Sequence, residues 1–264
     1  MKKSGRGAAQ YLRALARRRA VREKEGRYII DGPVLVAEAI RMQVPIEAIY
    51  VEAGTNEAIV DDAAAAGVRV HVVPPGAVHQ YTDVMTPQGV VALAAMQPAT
   101  LDHALERSAG SPVLVLCAVS DPGNAGTLLR MAEASGVGAV LFCDGSVDPY
   151  APKCVRASAG SIFHVVVVSG GKPVQVLEAI GGRGVQRLGT DAHRGKPYDE
   201  YDLTGAFALV LGNETHGLPA DVAEQIDGWV HVPMAGDVES LNVAMAGSVI
   251  CFEAARQRRV GGSA

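Results

Sequence analysis

Residues 112–136 read PVLVLCAVSDPGNAGTLLRMAEASG. An unbroken apolar run stops at Ser120-Asp121-Pro122-Gly123, and beyond Asn124 the apolar residues recur at helical spacing. A continuous Val/Leu run is the pattern of a strand covered on both faces, and a strand that turns straight into a helix is half of a parallel βαβ unit. Asn124 falls at the carboxyl end of that strand, where it reads as a helix cap or as a ligand contact, and in open α/β sheets this edge is where ligands bind. Arg130 follows near two helical turns later, so the spacing places both side chains toward one crevice; the alternative is a solvated helix residue.

Working toward the C-terminus, further apolar runs are bounded by turn residues: GAVLFCD, SIFHVVVVSG, GVQRLGTD, AFALVLGNE and GWVHVPM. Helical patterns lie between several of them, among them KPVQVLEAIGG and the closing SLNVAMAGSVICFEAARQRR. Residues 112–264 are therefore expected to form an α/β domain with a parallel sheet between helices. Toward the N-terminus, QPATLDHALERSAGSP is polar at both ends with a short helical pattern in between and places a linker at 99–111, leaving residues 1–98 as a smaller α/β domain of alternating strands and helices. Residues 8–23, AAQYLRALARRRAVRE, predict one helix with Tyr11, Leu12, Leu15 and Ala16 on one side and arginines around the rest.

The composition is that of an ordinary globular protein: 264 residues, 48% hydrophobic, 20% charged, four cysteines. The net charge of −4 conceals an asymmetry. Residues 1–30 hold ten basic residues and two acidic ones, for +8, whereas the other 234 residues carry −12. A polyanion meets a local surface, so the average does not exclude a nucleic-acid partner. No apolar run approaches the roughly 18 residues of a membrane helix, and the basic start leads into Glu23 and Lys24, not into a signal core; a cytoplasmic protein is expected. Cys117, Cys143, Cys154 and Cys251 lack zinc-type spacing and read as small buried hydrophobes.

Two more constellations end apolar strands. In LVLGNETHGLP (209–219) glycine permits close backbone approach and Glu214 places a carboxylate at the strand end. In VHVPMAGDVESLNVAMAGSV (230–249) Ser240 is expected to open a helix, and the small residues at 244–248 permit tight packing of another helix or chain. There is no G-x-G-x-x-G opening a helix, no P-loop, no H-x-x-x-H pair and no G-x-S-x-G.

Together these segments resemble the three signature motifs of the SpoU/TrmH family of RNA ribose 2′-O-methyltransferases, in the knotted SPOUT superfamily: D-P-x-N-x-G-x-x-x-R at 121–130, L-G-N-E-x-x-G-L at 211–218 and V-P-M-x-G-x-x-x-S-L-N-V at 232–243. YAPKCVRASAGSIFHV resembles the family's Pro-Lys-x-x-Arg-x-Ser-x-Gly segment, and GRYIIDGPVLVAEAI with TPQGVVALA resembles the substrate-binding domain of the ribosomal-RNA branch. Thr215 and His216 depart from the family's usual Glu-Gly or Ser-Glu-Gly.

The resemblance implies a parallel-sheet SPOUT domain with a C-terminal trefoil knot, a homodimer packed through the last helix, and no metal. It implies S-adenosylmethionine held largely by backbone groups at Leu211, Gly212, Val232, Met234 and Leu241, with Thr190 near the adenosine. Catalytic roles fall to Asn124, Arg130, Glu214, Ser240 and Asn242, and the substrate would be RNA, with 23S rRNA leading. Phosphate contacts are expected from Arg13, Arg17, Arg18, Arg19 and Arg22, and from Lys153 and Arg156. tRNA methyltransferases, antibiotic-resistance rRNA methyltransferases and a non-catalytic RNA-binding assembly factor share the resemblance; the intact motif residues favour an enzyme.

Overall fold

The computed structural model of the chain describes residues 5–236 and 238–261, so Lys2, Lys3 and Asp237 lie outside the described residues. There are two compact units: residues up to Gln97 with Tyr150–Phe163, and Pro98–Pro149 with the chain from His164 on.

In the first unit, β1 (Arg27–Asp31), β2 (Ile46–Glu52), β3 (Val70–Val73) and β4 (Val90–Ala95) form a sheet in the order β1-β4-β2-β3. β4 is antiparallel to both neighbours, and β3 runs parallel to β2 at the edge. Leu12 and Leu15 of α1 (Gly5–Arg17) pack with Ile29, Val91, Leu93 and Tyr81 on one face. α3 (Pro33–Arg41) also packs on β4 and meets α4 (Glu57–Ala65).

The expected single helix over 8–23 is two helices. Arg18 is extended (φ −122°, ψ 112°) and separates α1 from α2 (Arg19–Glu25). The Arg22 guanidinium donates to the carbonyls of Leu15 (2.6 Å) and Ala16 (3.3 Å), which a helix end leaves without intrahelical partners. Hydropathy shows the buried stripe but not this capping.

The second unit is a seven-stranded parallel sheet. Its strands are β5 (Val113–Leu116), β6 (Ala139–Phe142), β7 (Val166–Ser169), β8 (Gln186–Thr190), β9 (Lys196–Pro197), β10 (Phe207–Leu211) and β11 (Gly228–His231), in the order β7-β6-β5-β10-β8-β11-β9. Ala104 and Leu105 of α5 (Leu101–Arg107) and Val176, Leu177 and Ile180 of α8 (Pro173–Gly181) pack with Val113, Val115, Leu141 and Val210 of the sheet. The short helical pattern expected within the linker at 99–111 is thus a helix that belongs to this core.

α6 (Pro122–Ser135) packs with α10 (Val243–Gly261), which follows the short α9 (Ala220–Ala223). A Cβ on Gly247 would lie 2.9 Å from Leu128 and 3.1 Å from Leu211, so this small residue of α10 serves packing within the chain. Tyr150–Phe163, read as part of the second domain, packs with the first unit: α7 (Pro152–Ala157) lies against β1, and the rings of Tyr28 and Tyr150 have centroids 4.9 Å apart.

The order of the second sheet fixes where a site can form. From β5 the chain builds outward through β6 and β7, then returns to the other side of β5 through β8 and β10. The carboxyl ends of β5 and β10 are in register, Leu116 beside Leu211, at the switch point where the crevice of an open parallel sheet opens.

Candidate active site

Three loops gather at that edge. After β5, Ala118 adopts a left-handed conformation (φ 63°), which costs a non-glycine residue roughly 1–3 kcal/mol. It is held there because its N–H donates to Ser146 Oγ (2.9 Å) and its carbonyl accepts from Asn213 Nδ2 (3.0 Å). After β10, Asn213 and Gly217 exchange backbone hydrogen bonds of 2.9 and 3.0 Å, closing a tight loop. Gly212 has no room for a side chain: a Cβ would lie 2.4 Å from the carbonyl carbon of Gly217 and 2.7 Å from the Leu218 nitrogen.

One hydrogen-bonded chain ties the loops together. Glu214 accepts from Ser120 N–H (3.2 Å), Ser120 Oγ (2.9 Å), Asp121 N–H (3.1 Å) and Asn124 Nδ2 (2.9 Å). Asn124 Oδ1 accepts from Asn242 Nδ2 at 2.9 Å, and Asn242 Oδ1 accepts from the N–H groups of Ala244 (2.9 Å) and Met245 (3.3 Å). Each amide orientation follows from a neighbour that can act in one sense only: an ionised carboxylate accepts and a backbone N–H donates. Burial acts to raise the Glu214 carboxyl pKa, but the hydrogen bonds from Asn124 and the loop N–H groups outweigh it and hold it down to about 2.

Two caps differ from the sequence reading. Asp121, not Asn124, caps α6 by accepting from the Asn124 N–H, which leaves the Asn124 side chain for Glu214 and Asn242. Asn242, not Ser240, caps α10; Ser240 stands before the helix, exposed.

Beside this chain lies a cavity of about 520 Å³, bordered by Thr190, Gly212, Glu214, Val232, Met234, Ser240, Leu241 and Asn242. Leu211 does not line it, being fully buried with its carbonyl accepting from Cys117 N–H. Arg130 is exposed on α6 and does not line it either. At 100° per residue, six residues end about 120° short of two full turns, which separates Arg130 from the direction of Asn124.

The profile of the SpoU rRNA Methylase family matches residues 111–252, and that of the MRM3-like substrate binding domain matches residues 8–92. The chain belongs to the SpoU rRNA methylase family. The 23S rRNA (guanosine(2553)-2′-O)-methyltransferase RlmP of Bacillus subtilis (strain 168) is 34% identical over 231 residues, 88% of this chain and 89% of that protein. The SpoU methyltransferase AviRb from Streptomyces viridochromogenes, solved in complex with the cofactor AdoMet, superposes with a TM-score of 0.85 at 29% identity, covering 96% of this chain and 99% of that one. The AdoMet-bound rRNA methyltransferase from Sinorhizobium meliloti gives 0.83 at 26% identity, covering 97% of each chain.

In this SpoU methylase the cavity suits S-adenosylmethionine. Its volume lies within the range of small-molecule sites, roughly 300–1,000 Å³. Val232, Leu241 and Ile250 give it apolar wall, while Asp191 and Glu239 bring carboxylates suited to a cationic ligand. His231 Nδ1 is buried in the lining with no hydrogen-bond partner among the described residues. The sequence reading missed His231, His193 and Asp191 as lining residues. The signal for the last was present, since Asp191 directly follows Thr190 at the carboxyl end of a parallel strand.

The expected phosphate ligands separate on the first unit. Arg13 and Arg18 are exposed, with no ion pair among the described residues. Arg17 pairs with Asp83 (2.7 Å) and Arg19 with Glu23 (2.7 Å). Arg22 is 3% exposed and spent on capping α1, which removes it from the phosphate set. Lys153 and Arg156 are exposed on α7.

Proposed function

We propose that this SpoU methylase transfers the methyl group of S-adenosylmethionine to a ribose 2′-hydroxyl of 23S rRNA. The observation that carries the reading is the Glu214–Asn124–Asn242 chain, which joins all three motifs beside the cavity. Thr190, Gly212, Val232, Met234 and Leu241 hold the cofactor. When bound, it supplies a sulfonium methyl whose leaving group departs neutral, so no metal is required.

The protein's task is to orient a poorly acidic hydroxyl and to favour loss of its proton. Glu214 is not the base: its oxygens already receive five hydrogen bonds, the longest from Asn213 Nδ2 at 3.5 Å, and its pKa is near 2, so it fixes the loops. Arg130 acts by stabilising developing alkoxide charge and the neighbouring phosphate. Ser240 and Asn242 border the reacting nucleotide.

The active unit is a homodimer packed through α10, with the C-terminal segment threaded as the family's knot. Met245 and Phe252, one heptad apart and 58% and 50% exposed, present apolar surface from a helix whose other side is buried on α6. Arg13 and Arg18 meet RNA phosphates. Arg130→Ala is expected to abolish methyl transfer and leave cofactor affinity, measured by calorimetry, unchanged. Transfer at near the unaltered rate overturns the role of Arg130, and absence of saturable cofactor binding by the unaltered protein overturns the whole reading.

A further inference from the structure

Tyr50 on β2 and His71 on β3 are direct cross-strand partners. Their rings stack, with centroids 5.0 Å apart and planes inclined by 21°. From the core side, Tyr81 meets Tyr50 edge-on at 5.6 Å and 72° and is itself buried with Leu12 and Leu15. The pair is thus braced from within, while His71 is exposed on a strand at the sheet edge. Arg69 lies two residues before His71, on the same side by strand periodicity, and is exposed with no ion pair among the described residues. The nearby acids are engaged elsewhere: Glu47 accepts from Arg27 at 2.6 Å and Glu52 from the Val78 N–H at 2.9 Å.

We propose that Tyr50 and His71 form a stacking platform for an unpaired base of the RNA substrate, with Arg69 on the adjoining phosphate. The proposal rests on the RNA reading above and adds to it the place where a single-stranded nucleotide docks. A rigid aromatic pair with one side open accepts any base, because every base has a π-face, whereas a base inside a duplex already has both faces covered. The excess positive charge of residues 1–30, part of the same unit, attracts the polyanion that brings such a base.

The test uses the full chain, a single-stranded 12-nucleotide oligoadenylate and the same strand paired with oligouridylate, read by fluorescence anisotropy. His71→Ala is expected to weaken single-strand binding by about 5- to 150-fold, the contribution of one stacked base. Duplex binding should change less than twofold. His71→Phe, which keeps a ring, should retain single-strand affinity, and Arg69→Ala should lower the salt dependence by about one phosphate contact. The proposal is overturned if the unaltered protein does not prefer the single strand, if His71→Ala matches it, if both RNA forms weaken alike, or if His71→Phe fails as alanine does. Methyl transfer to rRNA is measured in parallel: its absence with the stacking results intact overturns the enzyme reading alone, and its presence without a His71 effect overturns the platform alone.

Discussion

Glu214→Gln isolates the carboxylate that locks the three loops. Glutamine has the same shape, but one carboxylate oxygen becomes an NH2 group facing two donors at Oε1 or three at Oε2. If the NH2 replaces Oε1 it meets Asp121 N–H and Asn124 Nδ2, and turning Asn124 around would set its NH2 against that of Asn242. If it replaces Oε2 it meets Ser120 N–H, Ser120 Oγ and, at 3.5 Å, Asn213 Nδ2; the hydroxyl can reverse its role, and Asn213 keeps its shorter bond to the Ala118 carbonyl. The second arrangement is the less costly; it loses one backbone hydrogen bond and the charge on the others.

Charged hydrogen bonds contribute about 1.5–3 kcal/mol each, and water reaches this exposed group, so the net loss should be about 1–2 kcal/mol. For a chain of this size that lowers Tm by roughly 3–6 °C at pH 7, read by circular dichroism. The pH dependence has a definite sign. The folded-state pKa is depressed from 4.5 to about 2, so the stabilisation is complete above pH 4.5 and is lost as pH falls through about 2. The gap between the two proteins should be constant near neutrality and close in acid. Equal Tm values at pH 7, or a gap that persists at pH 2, refute the reasoning.

Gly212→Ala should cost about 1–3 kcal/mol by overpacking, because its Cβ would meet only backbone atoms of Gly217 and Leu218; cofactor affinity, by calorimetry, should fall more than tenfold as the loop opens. Arg22→Ala should destabilise by about 1–3 kcal/mol, whereas Arg13→Ala with Arg18→Ala should leave Tm unchanged and reduce the salt slope of duplex RNA binding by about 2; the reverse pattern contradicts the assignment. Burial, opposed by Arg258, pushes the Cys251 thiol up to about 12, and all four cysteines are buried, so a thiol reagent at pH 8 should label none before unfolding and all four after it.

Much of this architecture is legible in the sequence because continuous apolar strands and helical stripes are one-dimensional signals. The run at 113–119 announces a strand covered on both faces, and Leu12 and Leu15 announce the buried side of α1. What escapes depends on partners distant in the chain. Capping by Asp121 and Asn242 turns on which side chain meets which N–H group, and the break at Arg18 depends on Arg22 reaching back to Leu15. The short helix at 101–107 reads as part of a linker because only Ala104 and Leu105 are buried. Gly247 reads equally as a contact for a second chain or for Leu128, and geometry alone separates the two. The site residues are legible as three motifs, but the bond from Asn124 to Asn242 spans 118 positions and no local pattern contains it.

The most direct measurement incubates the purified chain with methyl-tritiated S-adenosylmethionine and unmodified 23S rRNA, digests the RNA to nucleosides and separates them. The account predicts label in one 2′-O-methylnucleoside and none with Arg130→Ala. Label on a base, or no transfer by a protein that binds the cofactor, contradicts it.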